Sequence, residues 1–492
     1  MIRSPLSTRA GICLLGLLVG LGCNHEPSGP DVSLQVSPAA PTILTGMTLQ
    51  LDALPVSGIA TPQSIEWSSS APTIVDVDAT GRLTAKAVGS ATIRATASSG
   101  IGETVVTVAE SGGSIRTKYK TTCGVTAGGD LYCWGQNDVG QAVPGNAVAT
   151  LLSPTKITSL SAVTSVSPAA LHSCATTASA SFCWGCNRHG ELGNGVTAGT
   201  TDGCTLRSAP VAVVGGQTFV RIEASGSDVT PENATCSDAY CGASSCGIVS
   251  SGQVYCWGAG IFTPAALNTS VRFTSMSMGL PTGCGVGTDK NIYCWALPTG
   301  NGAAINPLSV VTVAAPETFQ TVSVGRTHNC AIDKRGAAWC LGTNAAGELG
   351  APASETCIRR FTVGYPCRSQ PDTIVGGYRF QSISAGGGFA GTTGYIPMSH
   401  TCGVAVSQEI FCWGSNAAGQ LGNGSQTNSQ SPVKISSALK FKSVTTGALH
   451  TCAVSVDGAA YCWGDNSAGQ LGNGTTVNSS VPVPVTGGLI FR

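Results

Sequence analysis

The sequence predicts an all-β protein in which a β-sandwich precedes a seven-bladed β-propeller. Three observations carry this prediction. A hairpin bounded by two cysteines recurs seven times, the block before these repeats alternates apolar and polar residues, and no stretch sustains the apolar period of a helix. The 65 glycines supply the turns that many short strands need.

Charge is sparse and balanced along the chain. Only 10% of the residues are charged, against about 25% in average soluble domains, and 25 basic residues oppose 25 acidic ones. A chain of this composition offers no electrostatic surface for nucleic acid or for an anionic membrane. The apolar fraction of 42% is sufficient for packed cores.

The N-terminus has the pattern of an export signal. Two arginines precede the apolar run Ala10–Gly22, which is too short to span a bilayer and has the length of a signal-peptide core. We expect residues 1–22 to be a signal peptide. The junction "GLGC" resembles a bacterial lipobox, which implies that Cys23 is lipidated and that residues 23–30 form a polar tether. The expected location is the outer membrane or cell surface; a periplasmic or secreted protein with an ordinary cleaved signal, or an uncleaved anchor, is the alternative.

Fourteen of the 22 cysteines form pairs spaced by ten residues, or by nine in one case. Cysteines that face each other across an antiparallel hairpin are within disulfide reach, and an exported chain meets an oxidising compartment. We therefore predict seven hairpin disulfides: Cys123/Cys133, Cys174/Cys183, Cys246/Cys256, Cys284/Cys294, Cys330/Cys340, Cys402/Cys412 and Cys452/Cys462. Six further cysteines would join as Cys186/Cys204, Cys236/Cys241 and Cys357/Cys367, although sequence alone leaves other pairings open.

The turns between these cysteines support the facing geometry. A three-residue hairpin loop favours glycine at its third position, and the loop Val456–Gly458 places Cys452 opposite Cys462. Lys290 and Gln408 replace this glycine in two hairpins, so the turn type is less defined there.

Three chemical alternatives fit the repeats poorly. The pattern His-x-Cys occurs at His172, His328, His400 and His450, but a zinc site needs four ligands at one locus, and these histidines belong to separate hairpins. A Cys/His nucleophile should be singular rather than repeated, and "GQLGNG" lacks the Lys-Ser/Thr of a phosphate-binding loop. We expect the histidines to make structural or inter-blade hydrogen bonds, with no metal or cofactor.

The repeat unit is about 50 residues long, and each unit contains four short strands. Its most specific part resembles the regulator of chromosome condensation repeat family over about residues 114–492. The residues that carry the resemblance are "CWGDNSAGQLGNG" (Cys462–Gly474), "CWGSNAAGQLGNG" (Cys412–Gly424), "CWGCNRHGELGNG" (Cys183–Gly195) and "CLGTNAAGELG" (Cys340–Gly350). The resemblance implies a seven-bladed propeller over residues 115–492 and, in well-known members, nucleotide exchange on a nuclear GTPase, a role that the predicted export disfavours.

Residues 31–109 form a separate block. The segments "WSSSAPTIVDVDATGRLTA" and "GSATIRATA" resemble a bacterial Ig-like domain of group 2, which implies an Ig-like β-sandwich that acts as a spacer or adhesion module. Trp67 is expected in its core, and residues 110–114 form the linker. The first propeller unit lacks its opening Phe strand, so we predict that Leu489–Arg492 supplies or extends that strand and closes the ring.

Insertions locate the candidate binding site. Blades three and six are lengthened between their first two strands, and blades two and five between their last two, so all four additions should lie on one face. The candidate ligand contacts in these loops are Tyr240, Arg359, Arg360, Phe361, Tyr365, Arg368, Phe389 and Tyr395.

We expect a monomeric, non-catalytic scaffold that binds a protein or glycan at the cell envelope and reaches the membrane only through its anchor. An inhibitor of an exported enzyme and a propeller hydrolase or lyase are the alternatives. The second would use carboxylates such as Asp202, Asp228, Glu232, Asp238 and Glu355, which show no recognised spacing.

Overall fold

The computed structural model describes residues 34–37, 41–44, 48–55, 64–86, 89–97, 100–109, 115–196, 204, 209–226, 243–279, 282–296, 310–353, 355–357, 365–390 and 396–491. All regular elements in these segments are β-strands or short turns. Within them, no helix has the length and apolar character needed to cross a membrane.

The N-terminal strands build a small sandwich. They are β1 (Leu34–Ser37), β2 (Thr42–Leu44), β3 (Thr48–Gln50), β4 (Asp52–Pro55), β5 (Glu66–Ser69), β6 (Val75–Val77), β7 (Arg82–Ala85), β8 (Gly89–Ala97) and β9 (Gly100–Ala109). The sheets have the strand orders β2-β9-β8-β5, β3-β7-β6 and β1-β4. Leu83, Ile93 and Val106 are fully buried between them. Trp67 packs against this core, as expected.

Seven further sheets form the blades of a β-propeller. Blades one to three contain β10 (Ile115–Lys118), β11 (Thr121–Val125), β12 (Leu131–Gln136), β13 (Thr150–Lys156); β14 (Val163–Pro168), β15 (His172–Thr177), β16 (Ser181–Gly185), β17 (Val211–Ala212); and β18 (Phe219–Ser225), β19 (Ser244–Val249), β20 (Val254–Gly258), β21 (Ile261–Ala266). Blades four and five contain β22 (Phe273–Met278), β23 (Thr282–Gly287), β24 (Ile292–Ala296), β25 (Val310–Thr312); and β26 (Phe319–Val324), β27 (His328–Asp333), β28 (Ala338–Thr343), β29 (Glu355–Cys357), β30 (Tyr365–Thr373). Blades six and seven contain β31 (Phe380–Ala390), β32 (Ile396–Ala405), β33 (Ile410–Gly414), β34 (Ser429–Lys434); and β35 (Phe441–Thr446), β36 (His450–Ser455), β37 (Ala460–Gly464), β38 (Ser479–Pro484).

Each blade is an antiparallel meander, so its strands are neighbours in the order in which they occur in the chain. Blade five departs from this pattern, because its insertion adds β29 beside β30 as a fifth strand. The first strand of every blade contacts the first strands of the two adjacent blades. These seven strands therefore line a central channel.

The cysteine hairpins have the predicted register. In all seven, the first cysteine pairs directly with the second across the second and third strands. Their Cα atoms lie 4.0–4.2 Å apart, and the cysteines belong to the apolar cores between blades. The bonded pairs are Cys123–Cys133, Cys174–Cys183, Cys246–Cys256, Cys284–Cys294, Cys330–Cys340, Cys402–Cys412 and Cys452–Cys462.

Blade three keeps the hairpin disulfide without the long loop that follows it in other blades. Cys256 is bonded to Cys246 with their Cα atoms 4.0 Å apart, and on its other side Cys256 pairs with Ala265 of β21. The register between β20 and β21 shifts between Cys256 and Gly258, where only the turn Ala259–Gly260 joins the two strands. The predicted disulfide at Cys256 is therefore confirmed, and it does not require the repeat loop.

The hairpin turns contain the left-handed residue that the loop pattern predicts. Gly458 has φ 93°, and the N–H of Ser455 donates to the carbonyl of Ala459 at 2.9 Å. The non-glycine residues in the same position also adopt positive φ, 68° at Lys290 and 64° at Gln408. A side chain in this conformation strains the backbone by about 1–2 kcal/mol.

Replacing Lys290 or Gln408 with glycine should therefore stabilise the propeller. We expect each change to raise the free energy of unfolding by about 0.5–1 kcal/mol, because relief of the strain exceeds the entropy cost of glycine. Denaturant unfolding measures the change. Gly458→Ala is the opposite control and should destabilise, since its Cβ would meet the carbonyl oxygen of Phe491 at 2.9 Å. Destabilisation by both Lys290→Gly and Gln408→Gly would contradict the expectation that positive φ strains the backbone at these two positions.

The C-terminus closes the ring. Phe491 forms an antiparallel bridge with Thr126, the position that Ser455 occupies opposite Phe441 in blade seven. Its N–H donates to the carbonyl of Gly458 at 2.9 Å, and its ring packs on Trp134 with centroids 6.3 Å apart. The predicted closure is confirmed at Phe491, which extends the first strand of blade one; Arg492 lies outside the described residues.

In five blades a loop after the third strand joins the blade to the next; its sequence is Gly-Gln/Glu-Leu-Gly in four of them and Gly-Gln-Ala-Val in blade one. A carbonyl oxygen of this loop accepts the indole N–H of a buried tryptophan in the following blade: Gln470 from Trp134 (3.0 Å), Gln141 from Trp184 (3.0 Å), Glu191 from Trp257 (2.9 Å), Glu348 from Trp413 (3.0 Å) and Gln420 from Trp463 (2.9 Å). Blade three lacks the loop, and the indole N–H of Trp295 in blade four has no hydrogen-bond partner among the described residues. Blade four also lacks it, and Leu341 replaces the tryptophan in blade five.

Candidate functional site

The described strand ends that bound all four insertions lie on the same face of the ring. In an antiparallel meander the first–second and third–fourth connections are at one end of the blade, and the hairpin between the second and third strands is at the other. We call these the loop face, which includes residues 119–120, 137–149 and 465–478, and the hairpin face, which includes residues 126–130 and 456–459. The loop face therefore carries the variable segments, as predicted.

Two of the insertions extend the sheets themselves. In blade six, β31 and β32 continue pairing as far as Ala390 and Ile396, beyond the length of the other first hairpins. In blade five, Cys357 of the added strand β29 pairs with Tyr365 of β30, and a disulfide joins Cys357 to Cys367.

The structure places only some of the predicted ligand contacts. Tyr365 is half-buried beside Cys357, and the backbone of Phe389 pairs with Pro397 in the extended hairpin. The other predicted contacts, apart from Arg368, lie outside the described residues: Tyr240, Arg359, Arg360, Phe361 and Tyr395.

Arg368 has a structural position rather than an exposed one. Its residue surface is only 8% exposed. The guanidinium donates to the carbonyl of Pro352 at 2.7 Å and pairs with Asp372 at 3.1 Å. We therefore exclude Arg368 from the candidate site, because the residue is buried and its hydrogen bond to Pro352 and ion pair with Asp372 hold it within its own blade.

The loop cysteines follow the predicted pairing where they are described. Cys186 is bonded to Cys204, and Cys357 to Cys367. Cys23, Cys236 and Cys241 lie outside the described residues. Glu355 lies with Cys357 and Cys367 in a group whose ligand atoms are within 4.8 Å of one another. Since the two sulfurs are joined to each other, the group provides no thiolate for a metal.

The channel is lined by a ring of seven side chains, five of which are small and carry a hydroxyl group. The ring consists of the first-strand residues directly opposite the first hairpin cysteine: Arg116, Ser167, Glu223, Ser277, Ser323, Ser384 and Thr445. Each hydroxyl accepts a backbone N–H of the next blade, as Ser384 does from Thr446 at 3.0 Å. Arg116 cannot accept in this way, and Pro168 in the next blade has no N–H to offer.

The two exceptions in this ring form a buried charge cluster. Glu223 Oε1 lies 2.6 Å from Arg221 Nη2 and 3.3 Å from Arg116 Nη2. Burial alone would raise the pKa of Glu223, but the cations of Arg116, Arg221 and Lys118 outweigh it and hold that pKa at about 2. Glu223 is therefore a carboxylate throughout the physiological range.

The loop-face end of the channel forms what we call the mouth. Two residues beyond the hydroxyl ring, the first strands present Lys118, Ala169, Ser225, Gly279, Gly325, Gly386 and Gly447. Most of these residues line an open cavity of about 50 Å³, together with Tyr119 and Arg326. A Cβ on Gly386 would lie 2.5 Å from the carbonyl oxygen of Gly447, so glycine allows the strand ends to converge there. Lys118 crosses this opening, and its Nζ donates to the carbonyl of Met278 at 2.5 Å.

Neither the channel charges nor the mouth appeared among the sequence-predicted site residues. The signal was present, because the fourth residue after the repeat phenylalanine is Ser277, Ser323, Ser384 or Thr445 in four blades and Glu223 in blade three. The site was predicted in the loops because the insertions are there, whereas these charged residues lie on strands of ordinary length.

The four histidines of the His-x-Cys pattern join neighbouring blades. Their Nε2 atoms lie close to hydroxyls of other blades: His172 to Ser245 (2.8 Å), His328 to Thr401 (2.7 Å), His400 to Thr451 (2.9 Å) and His450 to Thr122 (3.0 Å). Each hydroxyl donates to the loop carbonyl that also receives the tryptophan N–H, as Thr451 does to Gln420, so the histidine must donate. The predicted inter-blade hydrogen bonds are confirmed.

Burial keeps these histidines neutral. Desolvation lowers the pKa of His172 and His450 to about 4 and that of His328 and His400 to about 3. Protonation would also place an N–H on Nδ1, which has no hydrogen-bond partner among the described residues in all four.

The histidines should make the propeller sensitive to mild acid. A neutral buried histidine contributes stability above its unfolded pKa of 6.5, and that stability is lost as the pH falls toward 3–4, because the unfolded chain then binds more protons. Each histidine should lower the free energy of unfolding by about 1.4 kcal/mol per pH unit within this window. Denaturant unfolding between pH 6.5 and 5 measures the slope. His400→Gln, which can still donate to Thr451, should reduce this slope by the contribution of about one proton, or about 1.4 kcal/mol per pH unit. An unchanged slope would contradict the conclusion that His400 is held neutral in the folded protein.

Family models match parts of both domains. Residues 32–108 match the model of the bacterial Ig-like domain (group 2). Residues 408–454 and 457–489 match that of the regulator of chromosome condensation (RCC1) repeat, and a second model of this repeat matches residues 114–141 and 441–470. No curated protein sequence matches the chain.

Solved structures with similar folds come from yeast and human. Prp20p of Saccharomyces cerevisiae is 19% identical with a TM-score of 0.57, covering 73% of this chain and 86% of that one. Yeast RCC1 (Prp20) in complex with Kap60 is 18% identical, with a TM-score of 0.57 and coverage of 73% and 84%. Human WBSCR16 is 14% identical, with a TM-score of 0.56 and coverage of 73% and 94%. At these identities the likeness establishes the propeller fold alone.

Proposed function

Because this chain carries regulator of chromosome condensation repeats behind a bacterial Ig-like domain of group 2, we propose that it is an exported, non-catalytic scaffold that binds a protein through its loop face. In this proposal Cys23 anchors the chain to the outer membrane or cell surface, and the Ig-like domain is the spacer. The observation that carries the proposal is that the strand ends bounding every insertion lie on the face that contains the channel mouth.

Rigidity supports a binding role. Seven disulfides cross-link the hairpins, and two more cross-link the insertions of blades two and five. A surface that is ordered before binding loses less conformational entropy when a partner arrives. The disulfides also favour an oxidising compartment, which argues against nucleotide exchange on a nuclear GTPase.

Similar propellers favour a protein partner. The structure of Prp20p is described with its binding to Gsp1p and histones, and yeast RCC1 was crystallised with Kap60 bound. We transfer only the general property of binding proteins, and a glycan remains the competing ligand.

The described chemistry favours binding over catalysis. The four core histidines are held neutral in inter-blade hydrogen bonds, and His189 lies 3.3 Å from Glu191 in a repeat loop. Glu223 is committed to its arginine partners. Among the described residues these groups serve the framework, so we assign the protein no reaction.

Site-specific photo-crosslinking in the cells that produce the protein tests this proposal. Five exposed valines make a matched set: Val148, Val196 and Val477 on loop-face connections, and Val406 and Val456 on the hairpin face. We expect a photoreactive residue to give adducts with one protein from the first group only. Adducts confined to the second group, or no protein adduct from either, would overturn the proposal.

A further inference from the structure

A cleft on the hairpin face, between blades five and six, has the chemistry of a ligand site. We call it the arginine cleft; it is an open cavity of about 290 Å³ whose lining includes Glu317, Arg335, Trp339, Tyr378 and Arg379. We infer that it binds one hexuronic acid, the carboxylate of which pairs with the two arginines while its ring packs on the indole of Trp339. This inference goes beyond the binding proposed for the loop face and does not depend on it.

Three residues of the cleft depart from the repeat. Arg335 is the middle residue of a three-residue hairpin turn, and the other five such turns have glycine, serine or aspartate there. Trp339 occupies a position at which the other six blades have tyrosine or phenylalanine. Tyr378, two residues before the repeat phenylalanine, is the only aromatic residue at its position. Since the other blades fold without these side chains, their presence at one junction indicates a local role beyond the framework.

Backbone contacts hold the two arginines at neighbouring positions. The N–H of Phe380 donates to the carbonyl of Gly336 at 2.7 Å, so the turn that carries Arg335 lies against the link that carries Arg379. A Cβ on Gly336 would lie 3.5 Å from the Cβ of Arg379. Both arginines are exposed, and in the described part of the chain neither guanidinium donates a hydrogen bond or forms an ion pair. Their N–H groups suit a carboxylate, which can accept on both of its oxygens.

The buried carboxylate of the cleft does not satisfy these arginines. Asp333 Oδ1 accepts the backbone N–H groups of Arg335 at 2.8 Å and of Ala337 at 2.9 Å. Its Oδ2 accepts the indole N–H of Trp339 at 3.0 Å. Burial alone would raise the pKa of Asp333, but these hydrogen bonds and the charge of Arg379 lower it below its ordinary value. Asp333 is therefore a carboxylate committed to its own hairpin, and it holds the indole in place.

The walls of the cleft suit a sugar ring. Trp339 is half-buried and packs edge-on against Phe319, with ring centroids 6.3 Å apart and planes at 86°, and the rest of the indole lines the cavity. The C–H groups on one face of a pyranose form an apolar surface that packs on an aromatic ring. Tyr378, whose hydroxyl makes no hydrogen bond with any described residue, and the carboxylate of Glu317 can bond to the hydroxyl groups of the sugar.

Size and charge favour a sugar acid over a nucleotide, which would also stack on an indole. The volume of about 290 Å³ lies at the lower end of the range for ligand pockets, which starts at about 300 Å³, and it suits one ring with its carboxyl group. Glu317, paired with Lys334 at 3.8 Å, would repel the second negative charge of a phosphate monoester. The same carboxylate can accept from a hydroxyl, so a polyhydroxylated monoanion fits the cleft better.

Fluorine NMR of the whole protein tests the site. The chain has eight tryptophans, and protein from cells supplied with 5-fluorotryptophan gives a signal for each. Trp339→Phe, which introduces the residue that blades two and six have at this position, assigns the Trp339 signal. At constant ionic strength we expect glucuronate or galacturonate to shift this signal saturably, and the neutral controls glucose and galactose to leave it unchanged. No saturable shift with either acid, or an equal response to the neutral sugars, would overturn the site.

Three matched variants identify the groups that bind the carboxylate. Arg335→Gln and Arg379→Gln should each weaken hexuronate binding at least tenfold, because each removes a charge-assisted hydrogen bond. Arg272→Gln is the control: Arg272 is exposed and precedes Phe273 as Arg379 precedes Phe380, but the turn beside it contains Ser251 where blade five has Arg335. This control should leave binding within twofold. Thermal unfolding near the wild-type temperature confirms that each variant is folded. Equal weakening by all three variants, or no weakening by the first two, would overturn the role of the arginines.

Two further probes test the class of ligand. Inorganic phosphate and adenosine monophosphate should bind at least tenfold more weakly than the better hexuronate, and tighter binding of either would overturn the assignment to a sugar acid. Arg335→Gln should leave the photo-crosslinked adducts of the loop face unchanged, because the cleft is on the opposite face. Loss of those adducts in this variant would contradict the independence of the two sites.

Discussion

Phe491→Ala is expected to lower the free energy of unfolding of the propeller by about 3–5 kcal/mol, as truncation of a buried phenylalanine does in other cores. Phe491 is 1% exposed and packs between Trp134 and Gly124, where a Cβ on the glycine would clash with the ring. It is also the contact through which the last segment of the chain completes blade one, so its loss combines a cavity with an opened ring. Denaturant unfolding followed by tryptophan fluorescence measures the change.

The neighbouring residue is the matched control for this prediction. Ile490 is 52% exposed and lies one position away, so Ile490→Ala should change stability by less than about 0.5 kcal/mol. Equal losses in the two variants would show that the C-terminus stabilises the ring by its backbone alone. That result would contradict the role assigned to the Phe491 side chain.

Glu223→Gln should cost about 3–5 kcal/mol, the usual effect of removing one partner of a buried ion pair. The change removes the carboxylate that pairs with Arg116 and Arg221 and whose charge Lys118 also shares. Thermal and denaturant unfolding at pH 7 measure the loss. Since the pKa of Glu223 is held near 2, the wild-type contribution should persist until the pH falls below 4.5 and then decline toward 2.

The other blades supply the rescue for this variant. Serine or threonine occupies the position of Glu223 in five blades, and the position of Arg221 in the same five blades. The triple variant Arg116→Ser, Arg221→Ser, Glu223→Ser therefore gives blades one and three the hydroxyl side chains of the other five blades and removes both arginines together with their carboxylate. We expect it to regain at least half of the stability that Glu223→Gln loses. A triple variant less stable than Glu223→Gln would show that the ion pairs stabilise the ring in themselves.

The regular part of the fold followed from the sequence because its signals are local. The ten-residue cysteine spacing and the loop glycine together determine which residues face each other, and the structure has that register. The closing role of the C-terminus was equally visible, since Phe491 continues the series of repeat phenylalanines. Even Lys290 and Gln408, which have side chains where glycine is usual, keep the turn because the disulfide-bonded strands on either side require it.

The candidate site was harder to predict, for a physical reason. Loop length indicates which face varies, but it does not indicate which loop side chains are already used internally, and Arg368 is one of these. The channel charges are separated by about 100 residues in sequence and meet only because the ring brings blades one and three together. Their signal appears when equivalent positions of the seven blades are compared with one another, rather than in any single motif.

The most direct test is the thiol state of the mature protein isolated from the cells that make it, since a disulfide-linked ring that acts outside the cytosol requires its hairpin cysteines to be oxidised. Alkylation without reduction, followed by peptide mapping, assigns each cysteine as free or bridged. We predict that each of the seven hairpins yields its own intrachain bridge, from Cys123–Cys133 through Cys246–Cys256 to Cys452–Cys462. Recovery of these cysteines as alkylated thiols would place the protein in a reducing compartment and would contradict both the clipped ring and the exported scaffold built on it.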